Sequence, residues 1–134
     1  MELFAGGTVV REPPVILVVE DDPLIQNIVD DALREGGFET AIAPSAEEAL
    51  TLLRGKVMNY RAVVAEGRMN GWEVAKQARE TDPTFPIVYL TGVVANEWAS
   101  RGVPNSILLE KPFAPAQLVT AISQLLNATA PGQS

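Results

Sequence analysis

Acidic residues, one threonine and one lysine each follow a short apolar run of this chain, and they are the side chains best suited to chemistry. They are Glu20, Asp21, Asp22, Glu66, Thr91 and Lys111. Clustered carboxylate oxygens are the ligands that hard divalent cations such as Mg²⁺ prefer. The set therefore predicts an oxygen-lined cation site with a hydroxyl and an ammonium group beside it.

Residue types that are missing exclude several kinds of active site. The 134 residues include no cysteine and no histidine, which excludes disulfides, thiolate or imidazole metal ligands, and triads that use imidazole as a base. No G-x-G-x-x-G follows the first apolar run, so a nucleotide-binding interpretation has little support.

Length and composition indicate one globular domain with no room for a separate output module. Lys plus Arg number 10 and Asp plus Glu 17, a net charge of −7 that argues against nucleic-acid or anionic-membrane partners. No apolar run is long enough for a bilayer span or a signal peptide, so we expect a cytoplasmic protein. We divide the chain into a flexible N-terminal tail at 1–13, a domain at 14–128 and a C-terminal tail at 129–134.

Strands and helices are predicted to alternate along the domain. Short apolar runs predict five strands, at 15–19, 38–43, 60–65, 85–90 and 106–109. Apolar residues at helical spacing predict a helix after each strand, the fourth at 94–100. Asp22 suits the N-cap of the first helix and Pro23 its first position.

This alternation favours an α/β, doubly wound, three-layer sandwich with one five-stranded parallel sheet. In such sheets the working site lies beyond the carboxyl ends of the strands. All six candidate side chains fall at those ends, so we expect them to meet at one edge of the sheet.

Four segments resemble the receiver domain of two-component response regulators, over about residues 14–128. They are VILVVEDDPLI (15–25), GFETAIAPSAEEAL (37–50), FPIVYLTG (85–92) and LLEKPF (108–113). An acidic pair, Thr-Gly and Lys-Pro-Phe in this order form a specific combination. The resemblance implies the flavodoxin-like (βα)5 fold and transfer of a phosphoryl group from a histidine kinase to an aspartate at the end of the third strand, with Mg²⁺ bound.

The resemblance also assigns roles to single residues. Glu20 and Asp21 would hold Mg²⁺, Lys111 would pair with the acyl phosphate, and Thr91 would hydrogen-bond to it. The bond between Lys111 and Pro112 is a candidate cis peptide, because the family commonly has one there. Plainer interpretations stay open: a helix start at Asp22, solvated acids at Glu20 and Asp21, and a simple strand end at Thr91.

The third strand departs from the family because no aspartate ends it. Glu66 stands there, and the segment from Glu66 to Gly71 is a few residues short. Either Glu66 replaces the aspartate in a shortened loop, or a deletion removed the aspartate and Glu66 is an old loop residue. Both interpretations leave no aspartate at the end of the strand and so predict lost or severely impaired aspartyl phosphorylation. Even if the Glu66 carboxylate reaches the pocket, its extra methylene should disturb the geometry of attack, and small misplacements are costly. A further hypothesis is that Glu66 imitates part of the charge of the phosphate.

The output surface also departs from the family. Leu108 holds the place of the aromatic residue that family members couple to the threonine. The face made by the predicted helix at 94–100, the strand at 106–109 and the helix that follows that strand is where such domains meet partners, and it is apolar here. Its apolar residues are Val93, Val94, Trp98, Val103 and Leu108. This face favours a partner surface and allows a homodimer.

We favour a stand-alone receiver domain, not an enzyme, which lacks its phosphoacceptor and binds a histidine kinase or another signalling protein independently of phosphate. The alternative is an active Mg²⁺-dependent phosphoacceptor that receives phosphate from a histidine kinase, through Glu66 or another group. A small hydrolase is disfavoured, because the turn after the first strand lacks the D-x-D pattern of aspartyl-phosphate phosphatases.

Overall fold

The structure, a computed structural model, describes residues 3–5, 8–10, 13–55, 58–66, 70–91, 98 and 101–129, and only the backbone of 3–5, 8–10 and 129. The strands in these ranges are β1 (Leu3–Ala5), β2 (Thr8–Val10), β3 (Val15–Val19), β4 (Glu39–Ala43), β5 (Tyr60–Glu66), β6 (Ile87–Thr91) and β7 (Ile107–Glu110). The helices are α1 (Pro23–Glu35), α2 (Ala46–Gly55), α3 (Gly71–Thr81) and α4 (Pro115–Thr129).

The five predicted strands correspond to β3–β7 and form one parallel sheet in the order β4-β3-β5-β6-β7. The chain moves outward from β3 to β4 and then crosses back to β5, so the direction of winding reverses at β3. This is the flavodoxin-like strand order, and the predicted doubly wound fold is confirmed.

The sheet is buried on both faces, which gives the three layers. Ile16 and Val18 of β3 pack in the cluster that includes residues of α1 and α4. Leu17 and Val19 pack in the cluster that includes residues of α2 and α3. Since consecutive side chains of a strand point to opposite faces, the continuous run VILVV is what a strand covered on both sides requires.

The first helix begins as the sequence predicts. Asp22 is its N-cap, and its Oδ1 accepts a hydrogen bond of 2.9 Å from the backbone N–H of Leu24, while Pro23 takes the first position. Such a cap contributes about 1 kcal/mol. The cap lies where the chain leaves β3, directly after Glu20 and Asp21.

Two parts of the chain differ from expectation or fall outside the described residues. Strands β1 and β2 pair antiparallel inside the segment that we assigned to the N-terminal tail, and the sequence analysis did not predict this hairpin. Of the predicted helix at 94–100 only Trp98, a helical residue, is described. None of the helices in the described ranges is long and apolar enough to cross a membrane.

Candidate functional site

Glu20 is the residue at which β3 leaves the sheet. Its backbone N–H donates to the carbonyl oxygen of Ala43 at 3.1 Å, so the pairing with β4 extends to this residue. Its side chain is 2% exposed. Oε2 accepts a hydrogen bond of 3.1 Å from the backbone N–H of Asp22, and the Gln26 side-chain amide donates to the Glu20 carbonyl oxygen at 2.6 Å. Glu20 is therefore a buried, oriented carboxylate rather than a solvated acid.

Asp21 and Asp22, in contrast, are exposed. The carboxylate of Asp22 is used as the cap of α1. Glu20 is therefore buried, whereas the two aspartates that follow it are exposed.

Glu66 is the last residue of β5 and lies beside Leu90 of β6 in the sheet register. Its side chain is 7% exposed. Gly71, the first residue of α3, lies against this strand end: a Cβ at that position would lie 2.5 Å from the Glu66 carbonyl oxygen. Asn70, just before the helix, has a left-handed φ of 59°. Residues 67–69 lie outside the described residues.

Lys111 follows β7 and contacts residues at the ends of β3, β5 and β6. Its backbone N–H donates to the Thr91 carbonyl oxygen at 2.8 Å. Its Nζ lies 2.5 Å from Glu66 Oε2 and 3.4 Å from Glu20 Oε1. The peptide bond to Pro112 is cis, as the resemblance predicts. One ammonium group therefore faces two buried carboxylates.

Thr91 ends β6 beside Glu110 of β7 and is 4% exposed. It lies at the same edge of the sheet as Glu66, and its backbone is tied to Lys111. Gly92, the second residue of the predicted Thr-Gly pair, lies outside the described residues.

Burial and charge act in opposite directions on the ionisable groups. Burial raises the pKa of Glu20 above its ordinary value, against the opposing effects of the Asp22 N–H and of Lys111. Burial also acts to lower the pKa of Lys111, but the hydrogen bond and charge of Glu66 and the charge of Glu20 outweigh it, so this pKa is raised. Lys111 is thus held as a cation by the two carboxylates.

The described residues do not form a ready magnesium site. Of the predicted ligands, Glu20 is buried and Asp21 is exposed, and both Glu20 and Glu66 already face Lys111 Nζ. Within the ranges that the structure describes, no group of three or more acidic residues is placed to hold a metal ion.

A buried tyrosine near the site was missed by the sequence analysis. Tyr89 is fully buried in β6, its ring centroid is 4.6 Å from that of Trp72, and its hydroxyl accepts the N–H of Val103 at 3.1 Å. An aromatic residue two positions before Thr91 was the signal that could have found it. Through this hydrogen bond, Tyr89 connects the segment before β7 to the middle of the sheet.

The apolar face named for partners is less open than its sequence indicates. Trp98, Val103 and Leu108 are half-buried and pack against the core cluster of α2 and α3. The indole N–H of Trp98 also donates to Ser106 Oγ at 2.9 Å. Val93 and Val94 lie outside the described residues, so the face is described only in part.

Comparison with known proteins gives one consistent family. A family model described as "Response regulator receiver domain" matches residues 16–123. Response regulator MprA of Mycobacterium sp. (strain KMS) is 32% identical over 126 residues, which are 90% of this chain and 54% of that protein. A 14.6 kDa protein of Leptolyngbya boryana is 31% identical, covering 87% of this chain and 92% of its own length.

A solved structure is similar over nearly its whole length. The crystal structure of a response regulator receiver protein from Sinorhizobium medicae WSM419 has a TM-score of 0.84 at 44% identity, covering 87% of this chain and 97% of that one. This chain spans about half the length of the MprA relatives that it matches.

Proposed function

The chain belongs to the response regulator receiver domain family of two-component signalling, and we propose that it is a member that works without aspartyl phosphorylation. In this proposal it is a binding module rather than an enzyme. Its partner is a histidine kinase or another signalling protein, and the cytoplasmic location predicted from the sequence is part of the proposal.

The observation that carries the proposal is the contact between Glu66 and Lys111. The family resemblance implies an aspartate at the tip of β5 whose oxygen attacks phosphorus, with the lysine left to pair with the new phosphoryl group. Here the residue at that tip is a glutamate, and its Oε2 lies 2.5 Å from Lys111 Nζ. The lysine charge is already neutralised by the chain itself.

The backbone around Glu66 supports the same proposal. Transfer would form a bond from a carboxylate oxygen to phosphorus while the phosphorus–nitrogen bond of the phosphohistidine breaks, and the three atoms must lie nearly in line. Glu66 has one methylene more than aspartate, and Gly71 packs on its carbonyl oxygen. A strand tip held this closely has little freedom to compensate for the longer side chain, and small errors of position are costly in such steps.

Phosphotransfer from a histidine kinase tests the proposal. A kinase carrying labelled phosphohistidine is mixed with the chain in Mg²⁺, and in parallel with a receiver domain that has its aspartate. We expect label on the control receiver and none above background on this chain. Stoichiometric labelling of the chain would contradict the proposal and favour the alternative, an active phosphoacceptor.

A binding measurement tests the second half of the proposal. The affinity of the chain for the same kinase is measured with and without a small phosphodonor, with the control receiver alongside. We expect an unchanged dissociation constant for this chain. A donor-dependent change in affinity would mean that phosphate still controls binding.

A further inference from the structure

A cleft lies at the edge of the sheet opposite the strand ends that carry Glu66 and Thr91. Tyr60, the first residue of β5, and Phe85, just before β6, border it together with the last turns of α2 and α3. The seven residues of β5 span about 20 Å, so this cleft is separate from the site of the proposed function. Its volume is about 600 Å³, within the roughly 300–1,000 Å³ of sites for small molecules.

Much of the lining of this cleft is apolar. Leu53 of α2, Ala78 of α3 and Phe85 line it and pack in the core cluster of α2 and α3. Ala78 is buried, whereas Leu53 and Phe85 are half-buried and so keep apolar surface in contact with water. A ligand with an apolar body gains free energy by covering this surface. A flat ring also packs favourably against the aromatic side chains of Phe85 and Tyr60.

Tyr60 places a polar group in the cleft. The residue is 8% exposed, and its hydroxyl has no hydrogen-bond partner among the described residues. No polar side-chain atom that is sealed from solvent in those ranges lacks a partner, so the Tyr60 hydroxyl reaches the open space that the residue borders. Burial raises the pKa of Tyr60, so at neutral pH this hydroxyl is protonated and can donate a hydrogen bond to a ligand.

Arg54, in the last turn of α2, carries the charge of the cleft. It is exposed, forms no ion pair within the described part of the chain, and is the one charged residue among the described residues of the lining. Lys56 and Val57 lie outside the described residues, and neither carries a negative charge. In a chain with a net charge of −7, a described lining with an arginine and no acidic residue favours an anion. A guanidinium group suits the two oxygens of a carboxylate.

We propose that this cleft binds a small aromatic carboxylic acid in its ionised form. The ring covers the apolar lining, and the carboxylate accepts hydrogen bonds from the Arg54 guanidinium and the Tyr60 hydroxyl. The inference goes beyond the proposed function, because it concerns a second site, and it holds whether or not the chain accepts a phosphoryl group.

NMR titration of the isotope-labelled natural chain tests the proposal with phenylacetate and hydrocinnamate, which differ by one methylene. We expect saturable shifts of the backbone amides at the ends of α2 and α3, with a dissociation constant of about 1 mM or tighter, as ligands of this size allow. The neutral phenylacetamide has the same shape and should bind at least about fivefold more weakly, since it forms no ion pair. Absence of saturable shifts at these amides with both acids would overturn the proposal, and so would equal affinity for phenylacetate and phenylacetamide.

Three variants assign the contacts. Arg54→Gln should weaken phenylacetate binding at least about fivefold. Arg61→Gln is its matched control and should leave the affinity unchanged, because Arg61 is also exposed and is not among the described residues of the lining. Tyr60→Phe keeps the ring and should weaken binding at least about threefold. Equal losses in the two arginine variants would overturn the proposal, because net charge alone would then explain the binding. An unchanged affinity in Arg54→Gln, or in a folded Tyr60→Phe, would also overturn it.

Discussion

Gly71 packs so closely on Glu66 that a Cβ at position 71 would lie 2.5 Å from the Glu66 carbonyl oxygen. The other near atoms are the Glu66 carbonyl carbon at 3.0 Å and the Cβ of Ala65 at 3.1 Å, so no flexible side chain can give way. The start of α3 and the tip of β5 are therefore fixed together. The position of the Glu66 carboxylate depends on this contact.

We predict that Gly71→Ala destabilises the fold by about 1–3 kcal/mol, because backbone atoms must move to admit the methyl group. Alanine in a helix is ordinarily favoured over glycine by about 1 kcal/mol, so without the close contact Gly71→Ala should stabilise the fold. A loss of stability therefore reports the contact. Urea unfolding measures the change. Gly36→Ala is the control: its nearest atoms are methyl groups of Val119, which can move, and we expect a smaller loss. A stabilising Gly71→Ala would contradict the close packing.

Lys111→Met is expected to lower the free energy of unfolding by about 2–4 kcal/mol. Breaking a fully buried pair costs roughly 3–5 kcal/mol, and 24% of the Lys111 side chain is exposed, which reduces the effect. Lys76→Met is the matched control, since Lys76 pairs at 3.6 Å with Glu73 and both side chains are more than half exposed. That variant should change stability by less than about 1 kcal/mol. Equal effects of the two variants would mean that the Lys111 pair is an ordinary surface pair.

Glu20 makes stability depend on pH in a definite direction. Burial raises the pKa of Glu20 above its ordinary value of 4.5, so the folded chain holds this proton more tightly than the unfolded chain. The contribution of this protonation difference to the free energy of unfolding is fully present below pH 4.5. It is lost as pH rises through the pKa of Glu20 in the folded chain. In Glu20→Gln this loss is absent, so the stability of the variant relative to the natural chain should increase with pH. A relative stability that falls with pH would contradict the prediction.

Asp30 provides a control of opposite sign for that measurement. A hydrogen bond from Thr40, with help from Arg34, lowers the pKa of Asp30 below its ordinary value of 3.8. The contribution of Asp30 to the free energy of unfolding is present above pH 3.8. It is lost as pH falls through the pKa of Asp30 in the folded chain. The stability of Asp30→Asn relative to the natural chain should therefore decrease as pH rises, and unfolding curves from pH 3 to 7 compare the two variants.

Tyr89→Phe should lower the free energy of unfolding by about 1–2 kcal/mol, because it removes the acceptor of the Val103 N–H. The ring remains, so its packing on Trp72 is kept. Amide hydrogen exchange gives the local readout, and the Val103 N–H should exchange faster in the variant. Unchanged protection of that amide would show that the tyrosine hydroxyl does not hold the segment.

Local patterns were enough to predict the fold. The run of Val15–Val19, buried on both faces, and the pair Asp22 and Pro23 at the helix start are features of neighbouring residues, and the structure has both. The strand order follows from the alternation of elements. The hairpin of β1 and β2 was not predicted, because its two three-residue strands are too short to show a period.

Only part of the arrangement at the strand ends was predictable. The rule that side chains at strand ends meet at one edge predicted that Glu20, Glu66, Thr91 and Lys111 would lie close together, but it predicted the same for Asp21 and Asp22, which are exposed. That Glu66 pairs with Lys111, 45 residues away, depends on how far the two side chains reach across the edge of the sheet. That Glu20 is buried while Asp21 is exposed follows from the packing around the end of β3. These are tertiary relations that the types of the residues do not specify.

The phosphoryl content of the chain itself tests the central claim most directly. The chain is incubated with a small phosphodonor and Mg²⁺, and its intact mass is measured beside that of a receiver domain with its aspartate. We predict the unmodified mass for this chain and a gain of one phosphoryl group for the control. A stoichiometric, hydroxylamine-labile phosphoryl group on this chain would contradict the account.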